Sequence, residues 1–307
     1  MANSTSGTAP AIRVRGLRKQ YQGKAAVDGV DLDIAHGEVF ALLGPNGAGK
    51  TTTVEILEGH RSRSGGEVSV LGEDPARAGR AWRARIGIVP QSDLAAGELT
   101  VREMVAQFSA FYASPRDPDE VIAAVGLTAQ AGTRLRRLSG GQRRRVDVAI
   151  GIVGRPELLF LDEPTTGFDP EARRQFWELI TELARDGTTI LLTTHYLEEA
   201  EALAGRVGVL AAGRVVALGT PADLGGSDDN ATVSWLAQDG SHQSVRTPTP
   251  TLCIKELSHR FAGEITGLQV TRPSLEDRYL ELIADAGRRQ SEIGLSEIGP
   301  SRRGAGR

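Results

Sequence analysis

The residues with the clearest chemistry lie in one glycine-rich stretch, GPNGAGKT, which runs from Gly44 to Thr51. It matches the pattern G-x-x-x-x-G-K-[S/T], in which the glycines let backbone N–H groups wrap around phosphate oxygens. In this pattern Lys50 reaches the outer phosphates of a nucleoside triphosphate, and the Thr51 hydroxyl binds Mg²⁺. The alternative is an ordinary glycine-rich turn. An apolar run before the stretch and a helical pattern after it favour a phosphate-binding loop at a helix N-terminus.

A pair of carboxylates, Asp162 and Glu163, stands at the end of the apolar stretch LLFLD, residues 158–162. Open α/β folds bind ligands at the carboxyl ends of their strands, which is where this pair falls. Asp162 suits the Mg²⁺ shell, and Glu163 suits an attacking water. The alternative is a solvated acidic turn before Pro164, which the phosphate-binding loop in the same chain makes the weaker interpretation.

Two further polar residues follow predicted strands. Gln91 comes directly after IGIVP, and His195 follows TTILLTT and precedes the helix-like YLEEAEAL. Each is unremarkable alone, since a histidine at this position is more often a helix cap than a catalyst. Both are expected at the sheet edge that carries the phosphate-binding loop.

The stretch LSGGQ, residues 138–142, contains no acid, base or metal ligand, and its paired glycines weaken any helix or strand. A helical pattern starts near Gln142. Nucleic-acid binding is one interpretation of the arginines around LSGGQ. Such binding needs aromatic side chains on which bases stack, and none lie nearby. A solvated helix face with some attraction for nucleotide is the favoured interpretation. These arginines are Arg134, Arg136, Arg137, Arg143, Arg144 and Arg145.

The periodicity of apolar residues predicts an α/β core with helices between parallel strands. Alternation at 12–15 and 30–34 predicts half-buried antiparallel strands, whereas the continuous apolar run Val39–Leu43 predicts a strand buried on both faces. Residues 67–71 and 85–89 are further strand candidates. TVRE at Thr100 is a capping-box match that opens a helical region over about 95–153. RVGVLAAGRVVALG, residues 206–219, predicts an edge hairpin.

These patterns divide the chain into a disordered start at 1–10, a main domain at 11–220, a small C-terminal α+β appendage at 221–285 and a disordered tail at 286–307. In the appendage, SLEDRYLELI predicts a helix capped by Ser274 and Asp277. The tail is polar and rich in glycine and arginine.

Composition limits the classes of partner. The 307 residues include 36 Lys plus Arg and 39 Asp plus Glu, and the formal net charge of −3 gives no strong attraction to nucleic acid. The longest apolar runs are far shorter than the roughly 20 residues of a membrane span, and the N-terminus has no secretory signal pattern. We therefore expect no direct membrane insertion. The single cysteine, Cys253, is interpreted as a small buried hydrophobe rather than a reactive thiol, and it fits a reducing cytosol.

In order, GPNGAGKT, Gln91, LSGGQ, LLFLDEPTTGFD and His195 resemble the ATP-binding subunits of ABC transporters, over roughly residues 12–220. The resemblance implies a P-loop ABC ATPase cassette with a mixed sheet core, an antiparallel β subdomain and a helical subdomain. It also implies ATP and Mg²⁺ as cofactors. One position departs from the family pattern, since Phe168 replaces the more usual leucine.

The resemblance also implies a role for each matching residue. Glu163 acts as general base or water polariser, His195 contacts the γ-phosphate, and Lys50 completes the catalytic set. Tyr21 stacks on adenine, and Asp169 lies across a dimer interface. The implied nucleotide-binding residues are Tyr21, Gly44, Pro45, Asn46, Gly47, Ala48, Gly49, Lys50, Thr51, Thr52, Gln91, Ser139, Gly140, Gly141, Gln142 and Asp169. The implied metal ligands are Thr51, Gln91 and Asp162.

In such subunits LSGGQ caps the ATP held by a second subunit, because Ser139 and the N–H groups of Gly140 and Gly141 approach its γ-phosphate without a side chain in the way. With one cassette per chain, the resemblance implies a homodimer through a nucleotide sandwich. It also implies a separate integral-membrane permease, which places the chain at the cytoplasmic face of the cell membrane.

HYLEEAEALAGRV and PSLEDRYLEL further resemble the daunorubicin-resistance type of bacterial drug-exporter ATPases. This resemblance implies hydrolysis of ATP coupled to export of a drug, antibiotic or lipid-like compound. Two alternatives remain. One is a soluble ABC ATPase in translation or DNA repair, although such members carry two cassettes or a long coiled coil. The other is a nucleotide sensor without turnover, against which Glu163 and His195 argue.

Overall fold

The computed structural model describes residues 9–90, 97–226, 231–237, 239–261, 263–271 and 274–297. The chain divides into two compact units, Met1–Val216 and Ala217–Arg307. The described part of the chain contains no helix with both the length and the apolar character that a membrane span requires. The predicted disordered start lies almost wholly outside the described residues.

An antiparallel sheet in the order β2-β1-β4 forms one layer of the first unit. Ile12 pairs with Ile34 and Val14 with Leu32, and all four side chains are buried, which confirms the alternation expected for half-buried strands. The strands are β1 (Ile12–Tyr21), β2 (Lys24–Ile34) and β4 (Gly65–Val70).

A second sheet of six strands in the order β5-β6-β7-β3-β8-β9 forms the core of the fold. Its members are β3 (Val39–Leu43), β5 (Ile86–Val89), β6 (Leu158–Asp162), β7 (Thr189–Thr194), β8 (Arg206–Ala211) and β9 (Arg214–Gly219). β3, β5, β6, β7 and β8 pair in parallel, and β7 is buried along its whole length. β8 and β9 are joined by a two-residue turn in which Ala212 and Gly213 both have positive φ, as a tight hairpin requires. The predicted buried strands and edge hairpin are therefore confirmed.

The register of the parallel strands brings several motifs to one edge. Leu43 pairs with Thr194, and Asp162 pairs with Thr193. The chain therefore leaves β3, β6 and β7 at neighbouring points, and the segments that follow lie side by side. This arrangement confirms that the phosphate-binding loop, the carboxylate pair and His195 share a sheet edge.

The α-helices of the first unit are α1 (Lys50–Leu57), α2 (Arg80–Arg83), α3 (Val101–Ser109), α4 (Pro118–Ala124), α5 (Gly140–Val153), α6 (Pro170–Arg185) and α7 (Leu197–Leu203), and two short 3₁₀-helices lie at Thr128–Gln130 and Leu135–Arg137. Between β5 and β6 all regular elements in the described residues are helical, and α3, α4 and α5 pack against one another. The predicted capping box of α3 is present, with Thr100 and Glu103 bonded reciprocally. The extent of a helical subdomain over about 95–153 stays a prediction.

The start of α5 differs from the expectation. The helix begins at Gly140 rather than near Gln142, because Ser139 and Gln142 form a capping box that offsets the low helix propensity of the two glycines. Ser139 Oγ accepts from the Gln142 N–H at 3.2 Å, and Gln142 Oε1 accepts from the Ser139 N–H at 3.0 Å.

The second unit has a three-stranded sheet in the order β11-β10-β12, with β10 (Ala231–Leu236), β11 (His242–Thr247) and β12 (Gln269–Thr271). Its helices are α8 (Pro221–Gly226), α9 (Pro250–Arg260) and α10 (Leu275–Glu297). Val233, Leu257 and Ile265 form its small core, and Cys253 packs against them half-buried.

The predicted cap of α10 is present, since Ser274 and Asp277 accept hydrogen bonds from each other's backbone N–H. α10 continues to Glu297, so residues 286–297 are helical rather than disordered. Polar residues such as arginine, glutamine and glutamate are compatible with a helix, and polarity alone did not indicate where the helix ends. Residues 298–307 of the predicted tail lie outside the described residues.

Candidate active site

A cleft of about 790 Å³ lies between the end of the first antiparallel hairpin and the phosphate-binding loop. Tyr21 and Glu163 are both among its lining residues. Among the described residues that line it, none comes from the LSGGQ stretch at 138–142. The lining consists of Tyr21, Gln22, Lys24, Ala25, Ala26, Pro45, Asn46, Gly47, Gly49, Lys50, Thr51, Thr52 and Glu163.

The glycines that begin and end the loop are required by close backbone approach. A Cβ at Gly44 would lie 2.3 Å from the carbonyl oxygen of Leu210, and one at Gly49 would lie 2.4 Å from that of Ala26. Gly49 also has a φ of +103° and is the N-cap of α1, where no side chain caps the helix. The first N–H groups of α1 therefore face the cleft without a side-chain acceptor, and a phosphate can satisfy them.

Lys50 is buried at the base of the cleft. Its Nζ donates to the carbonyl oxygen of Gly44 at 2.6 Å and to that of Pro45 at 3.3 Å. Since an ammonium group has three donors, these two bonds leave one hydrogen for a phosphate oxygen. Burial lowers the pKa of Lys50, whereas the nearby charges of Glu163 and Asp162 act in the opposite direction.

Tyr21 presents its ring at the mouth of the cleft. The side chain is exposed, and its hydroxyl accepts from Arg61 Nη1 at 2.6 Å. Lys19 and Arg61 lie within cation–π distance of the ring, 5.1 and 5.6 Å from its centroid. These contacts hold the aromatic face in place, so that it offers a stacking surface for a planar base.

Asp162 and Glu163 are fixed from the neighbouring strand by Thr193. The Thr193 hydroxyl donates to Asp162 Oδ1, and the Glu163 N–H donates to the Thr193 carbonyl oxygen at 3.0 Å. His195 Nδ1 lies 3.3 Å from Glu163 Oε1. A carboxylate, an imidazole and the loop lysine thus meet at one edge, which is a set able to handle a proton beside a phosphate.

Glu163 has a φ of +45°, in the left-handed region that non-glycine residues rarely adopt. Such a backbone costs on the order of 1–3 kcal/mol and persists only where the surroundings enforce it. The two β7 contacts of the Glu163 N–H, to the Thr193 carbonyl and hydroxyl oxygens, are part of that enforcement.

The residues predicted to act across a dimer serve as caps within this chain. Ser139 caps α5, and Asp169 caps α6 by accepting from the Ala172 N–H at 2.8 Å. Ser139 and Gly140 are exposed, and Gly141 lies beside the ring of Phe168. Phe168 is buried and packs edge-on against Phe176, so the departure from leucine fills a pocket with a larger apolar side chain.

The oxygen donors present fit Mg²⁺. The Thr51 hydroxyl lines the cleft, and the Asp162 carboxylate precedes Glu163 at the same edge. No cluster of three or more histidine, cysteine, aspartate or glutamate ligands occurs in the described part of the chain. A donor set of one hydroxyl and one carboxylate suits an ion that takes its remaining ligands from phosphates and water. Gln91, the third predicted ligand, lies outside the described residues.

Three residues of the site were missed by sequence reasoning. Thr193 is a strand residue, and the one sequence signal for its role was its position two residues before His195. Arg144 was interpreted as solvent-exposed, yet it is buried against backbone carbonyls. Glu58 is a buried carboxyl at the end of α1, and burial together with the charges of Asp162 and Glu55 raises its pKa to about 7.

Comparison with known proteins gives consistent matches. A family model described as ABC transporter matches residues 27–166. The daunorubicin resistance ATP-binding protein DrrA3 of Streptomyces coeruleorubidus is 43% identical over 304 residues, which cover 90% of this chain and 96% of that protein. The Nod factor export ATP-binding protein I of Rhizobium johnstonii is 45% identical over 216 residues, covering 69% and 70%. A solved ATP-binding subunit of an ABC transporter is 28% identical with a TM-score of 0.64, covering 70% of this chain and 91% of that chain.

Proposed function

This chain belongs to the family of ABC transporter ATP-binding proteins, and from that premise we propose that it hydrolyses ATP to drive a separate membrane permease. The observation that carries the proposal is the meeting of Lys50, Glu163 and His195 at one sheet edge, with 3.3 Å between His195 Nδ1 and Glu163 Oε1. Phosphoryl transfer to water needs positioning and charge neutralisation above all, and these residues provide both.

In the proposed bound state, adenine stacks on Tyr21 and the phosphates lie along the loop from Gly44 to Thr51. Lys50 and the first N–H groups of α1 neutralise the outer phosphates. Thr51, Asp162 and Gln91 would hold a Mg²⁺ ion, which would supply further charge neutralisation on the phosphate oxygens.

Hydrolysis in this proposal depends on Glu163 and His195. The Glu163 carboxylate orients the attacking water and accepts its proton or polarises it, while His195 fixes the carboxylate and contacts the γ-phosphate. Glu163 is well suited because the β7 hydrogen bonds of its N–H hold it in one backbone conformation.

We propose that the active unit is a homodimer with two ATP molecules between the subunits. The cleft of one chain has no lining residue from 138–142, although Ser139 and Gly140 are exposed at the N-terminus of α5. In the dimer these residues, with Gly141 and Gln142, cap the partner's γ-phosphate, and Asp169 lies at the same interface. Hydrolysis removes the γ-phosphate that joins the two subunits, so the subunits separate. The permease then returns to the conformation it had before ATP bound.

The proposed cargo is a drug, antibiotic or lipid-like compound that the permease exports, with this chain at the cytoplasmic face of the membrane. The support is the similarity to one relative named for daunorubicin resistance and another named for Nod factor export. Residues 11–220 form the proposed ATPase domain and residues 221–285 the appendage, without nucleic acid as a partner.

The first experiment measures steady-state phosphate release by the purified chain with Mg²⁺ and ATP. We expect turnover in the wild type, loss of turnover in Glu163→Gln with nucleotide binding retained, and wild-type turnover in Glu67→Gln, an exposed carboxylate control on β4. Equal turnover in Glu163→Gln and wild type refutes the assigned role, and a wild type that binds ATP without releasing phosphate is a nucleotide sensor.

The second experiment separates transport from a soluble role. We expect an affinity-tagged chain to co-purify with one integral-membrane protein, and deletion of its gene to raise intracellular accumulation of a hydrophobic drug. Co-purification with ribosomes or DNA instead of a membrane protein refutes the transport proposal. Unchanged drug accumulation together with collapsed uptake of a polar nutrient refutes the export direction.

A further inference from the structure

Arg144 stands apart from the arginines around LSGGQ. Of the six in that run, all within the described residues, Arg144 alone is buried, with 4% of its surface exposed. A buried guanidinium loses its hydration and persists only where its N–H groups find acceptors and its charge a counter-charge. Asp147, one turn along α5 and equally buried, lies 3.9 Å from Arg144 Nη1.

The Arg144 guanidinium donates to three backbone carbonyls, which lie at or just after the ends of β5 and β6. Nε donates to the carbonyl oxygen of Pro164 at 3.1 Å, Nη2 to that of Asp162 at 2.7 Å, and Nη1 to that of Pro90. One planar group with five donors in a fixed fork reaches all three acceptors, whereas the three donors of an ammonium leave from a single nitrogen and cannot span the same positions.

The three acceptors are next to residues of the active site. Asp162 and Pro164 flank Glu163 in the chain, so Arg144 fixes the backbone on both sides of the hydrolytic carboxylate. Pro90 ends the segment after β5 and directly precedes Gln91 in the sequence. Arg144 therefore bonds to the backbone beside the two segments that approach the γ-phosphate in the proposed function.

Glu163 needs support of this kind because of its left-handed backbone, with φ at +45°. Thr193 anchors its N–H from β7, as described above, and Arg144 anchors the carbonyls before and after it from α5. The Glu163 peptide is thus held between a strand and the helix that begins within LSGGQ.

We propose that Arg144 is a positioning residue, which holds Glu163 for hydrolysis and joins it to the helix whose N-terminus caps the ATP of the partner subunit. This inference rests on the proposed function. It goes further because it couples the two ATP sites. The N-terminus of α5 contacts the partner's nucleotide, and one turn later Arg144 contacts the backbone around Glu163 of its own chain, so closure of one site affects the other.

The test compares Arg144→Lys with Arg145→Lys in the full chain. Arg144→Lys keeps the charge but cannot span three carbonyls. Arg145→Lys is the matched control, because Arg145 is the next residue of the same helix, is half-buried and bonds only to the Gln175 side chain among the contacts described. Arg144→Gln, which retains two donors without a buried charge, is the second variant if the lysine variant melts below the assay temperature.

We expect Arg144→Lys to lower kcat about tenfold or more, with KM and the Kd of a fluorescent ATP analogue changed by less than about twofold. Arg145→Lys stays within about twofold of wild type in all three. In a Glu163→Gln background, we expect Arg144→Lys to leave ATP-dependent dimer formation, measured by size-exclusion chromatography, intact. Arg144 positions the Glu163 carboxylate, and this background already lacks that carboxylate.

Two results overturn the proposal. Wild-type kcat in both Arg144 variants shows that the three hydrogen bonds do not position Glu163. Loss of nucleotide binding or of the dimer in step with kcat shows that Arg144 supports the fold in general. Failure of the proposed function is distinguishable from both, because it appears as a wild-type chain without ATP turnover, and it removes this proposal as well.

Discussion

The buried carboxyl of Glu58 gives a prediction about stability whose size follows from the structure. Its side chain is 8% exposed, and burial with the charges of Asp162 and Glu55 raises its pKa from 4.5 to about 7. The folded chain therefore binds the Glu58 proton more tightly than the unfolded chain. The stabilising contribution is complete below pH 4.5 and is lost as the pH rises towards 7, at a cost of about 3 kcal/mol in unfolding free energy.

The perturbation is Glu58→Gln, which keeps the shape of the protonated carboxyl and removes its titration. We expect wild type and variant to unfold with similar free energies near pH 4.5, and the variant to be more stable by about 3 kcal/mol at pH 8. Urea unfolding without nucleotide or Mg²⁺ measures both. Because His60 Nδ1 lies 3.3 Å from Glu58 Oε2, the comparison is repeated in a His60→Ala background.

Glu67→Gln, which changes an exposed carboxylate on β4, is the control and is expected to leave the pH dependence unchanged. A difference between wild type and Glu58→Gln that stays constant from pH 5 to pH 8 refutes the reasoning. So does a variant that becomes less stable as the pH rises.

Three further predictions concern the loop, the core and the catalytic pair. Gly44→Ala is expected to abolish binding of a fluorescent ATP analogue, because its Cβ would lie 2.3 Å from a β8 carbonyl oxygen, whereas Gly47→Ala, with nothing within 4 Å and a φ of +80°, retains weaker binding. Trp82→Phe removes a buried 2.8 Å hydrogen bond to a β4 carbonyl, and urea unfolding is expected to show a loss of about 1–3 kcal/mol. His195→Ala removes the 3.3 Å contact with Glu163, and phosphate-release assays are expected to show kcat lower by about 10² or more with the Kd of the ATP analogue nearly unchanged. Wild-type behaviour of a variant in its assay contradicts the role assigned to the corresponding contact.

The sequence was sufficient where the information is local. The glycine-rich loop before α1, the acidic strand end and the caps of α3 and α10 depend on residues within a few positions of each other, and the structure has all of them. The shared sheet edge followed from the rule that parallel strands end on the same side, which the register of Leu43 with Thr194 bears out.

The interpretation failed where a side chain's environment depends on distant segments. Arg144 lies among arginines of which most are exposed, and its burial comes from carbonyls at three points elsewhere in the chain. Burial raises the pKa of Glu58, and the charge of Asp162, at the end of a strand distant in the sequence, adds to the shift. Nothing in the sequence next to Arg144 or Glu58 indicated these contacts with distant segments.

In the proposed dimer each ATP site is completed by a second copy of the chain, and a mixture of two inactive variants is the sharpest test of this arrangement. Lys50→Ala disables the loop, and Gly140→Asp places a carboxylate where the partner's γ-phosphate is expected. Equal amounts that pair at random form mixed dimers with one complete site, and phosphate release is expected to recover to about a quarter of wild type. Turnover of the mixture that never exceeds the sum of the two variants alone contradicts the claim.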